Sequence, residues 1–243
     1  MRMLVTRPEP DATDTAARLN ALDIETTICP LLEFATLPTG LPQADGFAAV
    51  ALTSGNALRA LAERGEIARF RHLRAYAVGE RTAGRARDAG FTDVVSADGA
   101  FADLVERLAH ANLTGPVFYP AGRDQSGDLA RSLAPYGVMV ITAQVYAMNP
   151  VAGLPLGVRE DLVEGRIGAA LFYSRRTAEA FVDCAAGGLG RDARTRLGVL
   201  CLSEAVAQPL IDAHFVRVGL ADHPSEEAMM GLALSFARDQ NGA

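Results

Sequence analysis

The chain has 243 residues, 49% of them hydrophobic, with a formal net charge of −6 and a pI near 5.3. That length admits one large or two smaller domains with a substantial core. The acidic balance excludes a general nucleic-acid or membrane-surface binder, but all 23 of the Lys+Arg side chains are arginine, which leaves room for a local carboxylate or phosphate pocket.

Met3 to Thr6 reads as a short buried strand. Arg7-Pro8-Glu9-Pro10 is a turn, with prolines where a helix can begin but not continue. Asp11 to Leu22 is a helix with Ala16, Leu19 and Leu22 on one face, and Ile24 to Cys29 is the next strand. Thr36 to Gly46, with Pro38, Gly40 and Pro42, reads as a linker. Phe47 to Leu52 is an apolar run of the kind buried on both faces. Thr53-Ser54-Gly55-Asn56 turns it into a helix over Ala57 to Arg64. Arg74 to Val78 is a strand, Gly79 to Thr82 its turn, and a helix runs on to Ala89. Val94-Val95 is short and extended, and Phe101 to Ala111 is a helix. Val117 to Tyr119 is a strand, followed by a turn at Gly122, a helix carrying Leu129 and Leu133, and an extended exit over Val138 to Tyr146. Beyond Pro150 come a helix at Arg159 to Glu164, a strand at Ala169 to Phe172, the turn Tyr173 to Arg176 and a helix over Thr177 to Ala185. Gly187, Gly188 and Gly190 break the chain. Leu197 to Leu202 is a strand, Ser203 to Ala205 a turn, Val206 to Ala213 a helix, and Pro224 to Ala237 the last helix.

The two halves repeat. Ala49–Ser54 aligns with Ala169–Ser174 at a shift of 120 residues. Val78–Ala83 aligns with Leu202–Ala207 at 124, and the same shift pairs Phe91 with Phe215 and Val94 with Val218. Leu4 and Val5 match Phe118 and Tyr119 at 114. Three strand-turn-helix pieces are thus used twice, which implies two similar domains rather than a stacked solenoid. Alternating strands and helices give an α/β fold in which each domain is a parallel β-sheet flanked by helices.

Right-handed crossovers gather the turns at one edge of each sheet. Anionic ligands of such sheets bind there, against free backbone N–H groups at helix N-termini. Two domains with facing turn edges would form an anion-friendly cleft. Ser54, Ser174 and Ser203 each follow a strand and precede a helix; they are either helix caps or caps that also donate to a ligand carboxylate. Gly79 and Gly122 mark tight turns or a close approach of backbone to ligand. Arg7, Arg123 and Arg175-Arg176 are solvated arginines or, as a set at one edge, anion ligands. Tyr146 and the competing Tyr173 are half-buried structural phenols or general acids.

Several chemistries are excluded. Cys29, Cys184 and Cys201 form no CxxC pair and no even framework, and read as buried, reduced thiols. The four histidines show no ligand spacing, so no metal site is expected. GxSxG, GxGxxG and the P-loop pattern are missing. With no signal peptide or membrane-spanning run, a cytoplasmic protein is expected.

Taken together, Leu4–Pro8, Pro30–Glu33, Thr53–Asn56, Ala77–Thr82, Tyr119–Asp124, Val145-Tyr146, Tyr173-Ser174 and Leu202–Ala207 resemble, in order, the uroporphyrinogen-III synthase family. The last piece looks like its alphaproteobacterial form. The resemblance covers essentially the whole chain. It implies two α/β domains joined by a two-stranded connector, with the active site in the interdomain cleft. Domain 1 would be residues 1–34 plus 150–243, domain 2 residues 38–145, and the linkers residues 32–37 and 146–150. The implied reaction closes hydroxymethylbilane, a linear tetrapyrrole with eight carboxylates, with inversion of ring D and loss of water, through an azafulvene and a spiro intermediate. It uses no cofactor. The resemblance matches Tyr146 to the family tyrosine that assists departure of hydroxide; with it, Arg7, Thr53, Ser54, Asn56, Gly79, Thr82, Gly122, Arg123, Tyr173, Ser174 and Ser203 are the residues expected to bind substrate. Where many members carry threonine in the last turn, this chain has Ser203 with Val206. No nucleic-acid or membrane partner is implied, and the chain is expected to be a monomer. The alternative from another class is a non-catalytic two-lobed binding protein for a small anionic ligand.

Overall fold

The computed structural model describes residues 1–125 and 127–241. In chain order the elements are β1 (Arg2–Val5), α1 (Asp11–Asn20), β2 (Glu25–Ile28), β3 (Leu32–Thr36), β4 (Ala49–Leu52), α2 (Gly55–Glu63), α3 (Ile67–Phe70), β5 (Arg74–Ala77), α4 (Glu80–Asp88), β6 (Val94–Ser96), α5 (Phe101–Ala109), β7 (Val117–Gly122) and α6 (Leu129–Leu133). They continue with β8 (Val140–Pro150), α7 (Leu156–Val163), β9 (Ile167–Phe172), α8 (Arg175–Ala186), α9 (Arg191–Arg196), β10 (Gly198–Cys201), α10 (Glu204–Asp212), β11 (Arg217–Leu220) and α11 (Glu226–Asn241).

The chain divides into two compact units, Met1–Glu33 with the chain from Asn149 onward, and Phe34–Met148. The first unit holds a sheet in the order β11-β10-β9-β1-β2; the second holds β3-β8-β7-β4-β5-β6. The crossing segments are strands rather than coil: β3 and β8 lie side by side in the second sheet.

Apart from the extra strand β3, the two sheets share one strand order, β2-β1-β9-β10-β11 against β8-β7-β4-β5-β6. They also share one register. Leu4 pairs with Thr27 and with Ala170; at a shift of 114 or 120, Phe118 pairs with Ile141 and with Val50. Ala169 pairs with Gly198 as Ala49 pairs with Arg74, and Val199 pairs with Val218 as Ala75 pairs with Val94. The repeat seen in the sequence is therefore a repeat of hydrogen-bonded ladders.

Both faces of the central strands are buried, as parallel strands under helices require. In the second unit Val50, Leu52, Ala75, Ala77 and Phe118 point to one core, and Ala49, Ala51, Tyr76, Val117 and Tyr119 to the other. This is the period-two alternation of a strand. Phe118 is fully buried, with ring centroids 4.5 Å from Phe70 and 5.6 Å from Phe47. Such burial contributes about 2–3 kcal/mol. In the first unit Met3, Val5, Ala169, Leu171 and Leu200 share a core with Met229 and Ala233 of α11.

Some local expectations change. Helix α1 stops at Asn20, and α10 starts at Glu204 and carries Pro209 within it. The glycine break after α8 is followed by a further short helix, α9, whose sequence RDARTR has no apolar periodicity to announce it. Cys29 and Cys201 are buried, but Cys184 is only half-buried.

Candidate active site

In the second unit, Tyr146 lies just past the middle of β8, half-buried. The ladder between β7 and β8 shifts after Ala121, which pairs with Gln144, so that Gly122 pairs with Tyr146 and Val145 is the extra residue. A bulge of this kind re-aims a side chain. The Arg123 N–H donates to the Tyr146 carbonyl at 2.8 Å. The Tyr146 ring stacks on Phe34 at a centroid distance of 5.9 Å and an interplanar angle of 20°. The Arg59 guanidinium covers Phe34 at 4.0 Å, and Arg59 is itself held by Glu63 at 2.9 Å.

Gly122 is needed here for space. A Cβ built on it would lie 2.8 Å from Tyr146 Cζ and 3.0 Å from the phenolic oxygen. Next to this group, the Tyr119 hydroxyl meets Thr53 Oγ1 at 3.0 Å. Burial pushes the Tyr119 phenol above the ordinary tyrosine range; Thr53 opposes that shift and the neighbouring Tyr146 adds to it. The Thr53 hydroxyl is thus engaged by Tyr119. Ser54 caps α2 by accepting from Asn56 N–H at 3.2 Å, while Asn56 Nδ2 donates to Met148 Sδ at 3.6 Å. Gly79 stands at the N-cap of α4 with extended backbone, and Thr82, 8% exposed, lies in the first turn. Arg123 is exposed.

The first unit brings Arg7 and Tyr173 together, and leaves Ser174 and Ser203 at the starts of α8 and α10. Arg7 is drawn into the protein: its guanidinium lies 4.1 Å over the Tyr173 ring and donates to Glu226 at 2.6 Å, Asp11 at 2.9 Å and Thr15 at 3.0 Å. Tyr173 and Thr15 hydroxyls both donate to the other Glu226 oxygen, each at 3.1 Å. Burial, and then the Glu226 charge, push the Tyr173 phenol well above the ordinary tyrosine range. Tyr173 is therefore tied to a carboxylate of the protein. Ser174 caps α8 by accepting from Thr177 N–H at 3.2 Å and pairs with the Thr177 hydroxyl at 2.8 Å.

Ser203 makes no side-chain cap. Among the described residues, the Thr82 and Ser203 hydroxyls have no internal hydrogen-bond partner. They sit in the two turns that the shift of 124 relates, at α4 and α10.

Sequence reasoning missed Phe34, Tyr119 and Glu226. Tyr119 lies inside a family motif but reads only as strand. Phe34 carries no signal beyond its place in the crossing segment, and Glu226 stands 219 residues from Arg7 in a helix with no motif. Among the described residues no group of three or more histidine, cysteine or acidic side chains gathers to hold a metal ion. No helix among them is long and apolar enough to cross a membrane.

A family model described as Uroporphyrinogen-III synthase HemD matches residues 13–231. A search of curated protein sequences gave no match. Among solved structures, uroporphyrinogen-III synthetase from Helicobacter pylori superposes with a TM-score of 0.66 at 22% identity, over 97% of this chain and 99% of that one. A mutant uroporphyrinogen III synthase from the extreme thermophile Thermus thermophilus superposes with a TM-score of 0.55 at 18% identity, over the full length of both chains. The structural likeness carries the fold. The sequence match, which spans both units and every turn from Thr53 to Ser203, carries the kinship: the chain belongs to the uroporphyrinogen-III synthase family.

Proposed function

We propose that this chain closes hydroxymethylbilane to uroporphyrinogen III with Tyr146 as the acid. The observation that carries this reading is the seating of a half-buried phenol by a strand bulge, Phe34 and bare glycine backbone, in a chain whose family is a lyase of tetrapyrrole biosynthesis.

The chemistry needs two things. Hydroxide must leave the ring A hydroxymethyl carbon, and the substituted carbon of ring D must attack. A phenol carries an O–H donor at neutral pH. Donation from Tyr146 to the departing oxygen converts hydroxide into water and leaves the azafulvene cation. Attack by ring D gives the spiro intermediate, which fragments and recloses with the ring inverted. Spontaneous closure gives the uninverted isomer, so the protein contributes geometry as much as acid. Thr82 and Ser203 are our first choices as donors to substrate carboxylates, since their hydroxyls have no internal partner among the described residues and stand at helix N-termini. Ser54 and Ser174 contribute through the helix starts that they cap. Thr53, Asn56, Gly79 and Arg123 line the same turns of the second unit. In the first unit, Arg7 and Tyr173 are held by Glu226 and are not primary anchors. The protein works without a metal or cofactor, as a cytoplasmic monomer.

Tyr146→Phe tests the assignment. We expect turnover to fall about a hundredfold or more, with the melting temperature unchanged. Near-normal turnover removes Tyr146 from the mechanism.

A further inference from the structure

We propose that Gly122 is a positioning residue for the Tyr146 phenol, not a contact for substrate. The inference rests on the reading of Tyr146 as the acid. Three observations converge on it.

First, the space for the phenol exists only because residue 122 has no side chain: an added Cβ would stand 2.8 Å from Cζ, 3.0 Å from Cε2 and 3.0 Å from the hydroxyl of Tyr146. Real Cβ atoms do not approach this closely, so the flexible partner must yield, and that partner is the reactive tip. Second, Gly122 is buried and paired with Tyr146 across the bulged ladder, so the backbone that meets the phenol cannot swing away from it. The adjacent hydrogen bond from Arg123 N–H to the Tyr146 carbonyl fixes the same junction. Third, Gly122 is not among the residues with left-handed backbone, so glycine is required here for room rather than for conformation. Phe34, stacked on the Tyr146 ring and covered by Arg59, limits the ring's freedom further. An added methyl therefore displaces the hydroxyl by a fraction of an ångström to about one ångström, a shift that costs a positioned group up to about a hundredfold in rate.

The test is a double-mutant cycle of Gly122→Ala and Tyr146→Phe, read as kcat and KM in isomer-resolved turnover of hydroxymethylbilane generated in situ. Alone, Gly122→Ala is expected to lower kcat about tenfold or more and to move KM less than about twofold. In the Tyr146→Phe background, where no hydroxyl remains to be misplaced, it is expected to change kcat less than about twofold. A rise in KM at unchanged kcat would assign Gly122 to substrate contact and overturn the proposal. So would an equal loss of kcat in both backgrounds, the mark of a structural role. If Tyr146→Phe itself turns over normally, the acid reading falls; if only Gly122→Ala does, the positioning claim falls alone. Should Gly122→Ala fail to fold, Phe34→Leu removes the stack without adding an atom. Its loss of kcat is expected in the wild-type background and not with Tyr146→Phe, and equal loss in both contradicts the proposal.

Discussion

Phenols carry much of the physical chemistry here, and the burial of each decides its part. Tyr146 is half-buried and held at its ring, its carbonyl and the glycine under its tip. Tyr173 is different: it donates to Glu226 and is held protonated by burial. Its folded pKa lies above the unfolded value of about 10. Its contribution to stability is therefore complete below about pH 10 and is lost as the pH rises through the raised folded value, because the unfolded chain releases a proton that the native chain keeps. Tyr119 shifts in the same direction. Equilibrium unfolding between about pH 8 and 11.5 should show stability level to about pH 10 and then falling by up to about 1.4 kcal/mol per pH unit for each such tyrosine. Tyr173→Phe should lessen that fall, and an unchanged slope would contradict the assignment. Removing the acceptor is costlier. Glu226→Ala leaves the Arg7 guanidinium without its 2.6 Å partner, with Asp11 still at 2.9 Å, and should lower stability by about 2 kcal/mol in urea unfolding. A loss below about 0.5 kcal/mol would make that network ornamental.

The helix starts separate capping from ligand binding. Ser54 and Ser174 cap α2 and α8, so alanine at either should cost about 1 kcal/mol of stability. Ser203 makes no cap at α10, so Ser203→Ala should leave stability within about 0.5 kcal/mol and act instead on KM. Thermal unfolding and steady-state kinetics on the three variants check both statements; a destabilised Ser203→Ala protein with unchanged KM would reverse the roles. The strands that position these starts were legible, because an apolar run ending in Thr-Ser or Tyr-Ser has few other readings. The α9 helix was not legible: four of its six residues are charged, and it is fixed by Arg194 donating to the Leu189 and Ala213 carbonyls. Nor was the bulge that aims Tyr146, since a one-residue slip between parallel strands leaves no mark in hydrophobic pattern when Ala143, Val145 and Ala147 still alternate.

At the scale of the molecule, two sheets with one strand order and one register are built from sequences that share little beyond strand and turn chemistry. The shifts of 114, 120 and 124 were readable because a ladder fixes the spacing of its residues, whereas the intervening loops do not. The two copies differ at their turns. The second unit has Gly122, Tyr119 and Tyr146 where the matching part of the first has Pro8, Val5 and Leu32. Glu226 joins the first copy from α11, at a position where the matching helix of the second copy, α5, carries Ala102, which is why the Arg7 network could not be foreseen from the repeat. The asymmetry puts the proposed phenolic acid in one copy only. The most direct measurement is therefore the isomer distribution formed from hydroxymethylbilane generated in situ, with the purified protein present. The account predicts mostly type III uroporphyrinogen with the wild-type chain, and mostly type I with Tyr146→Phe. Type I at the spontaneous rate from folded wild-type protein, with the ligand bound stoichiometrically, would contradict catalysis and favour a two-lobed anion-binding protein.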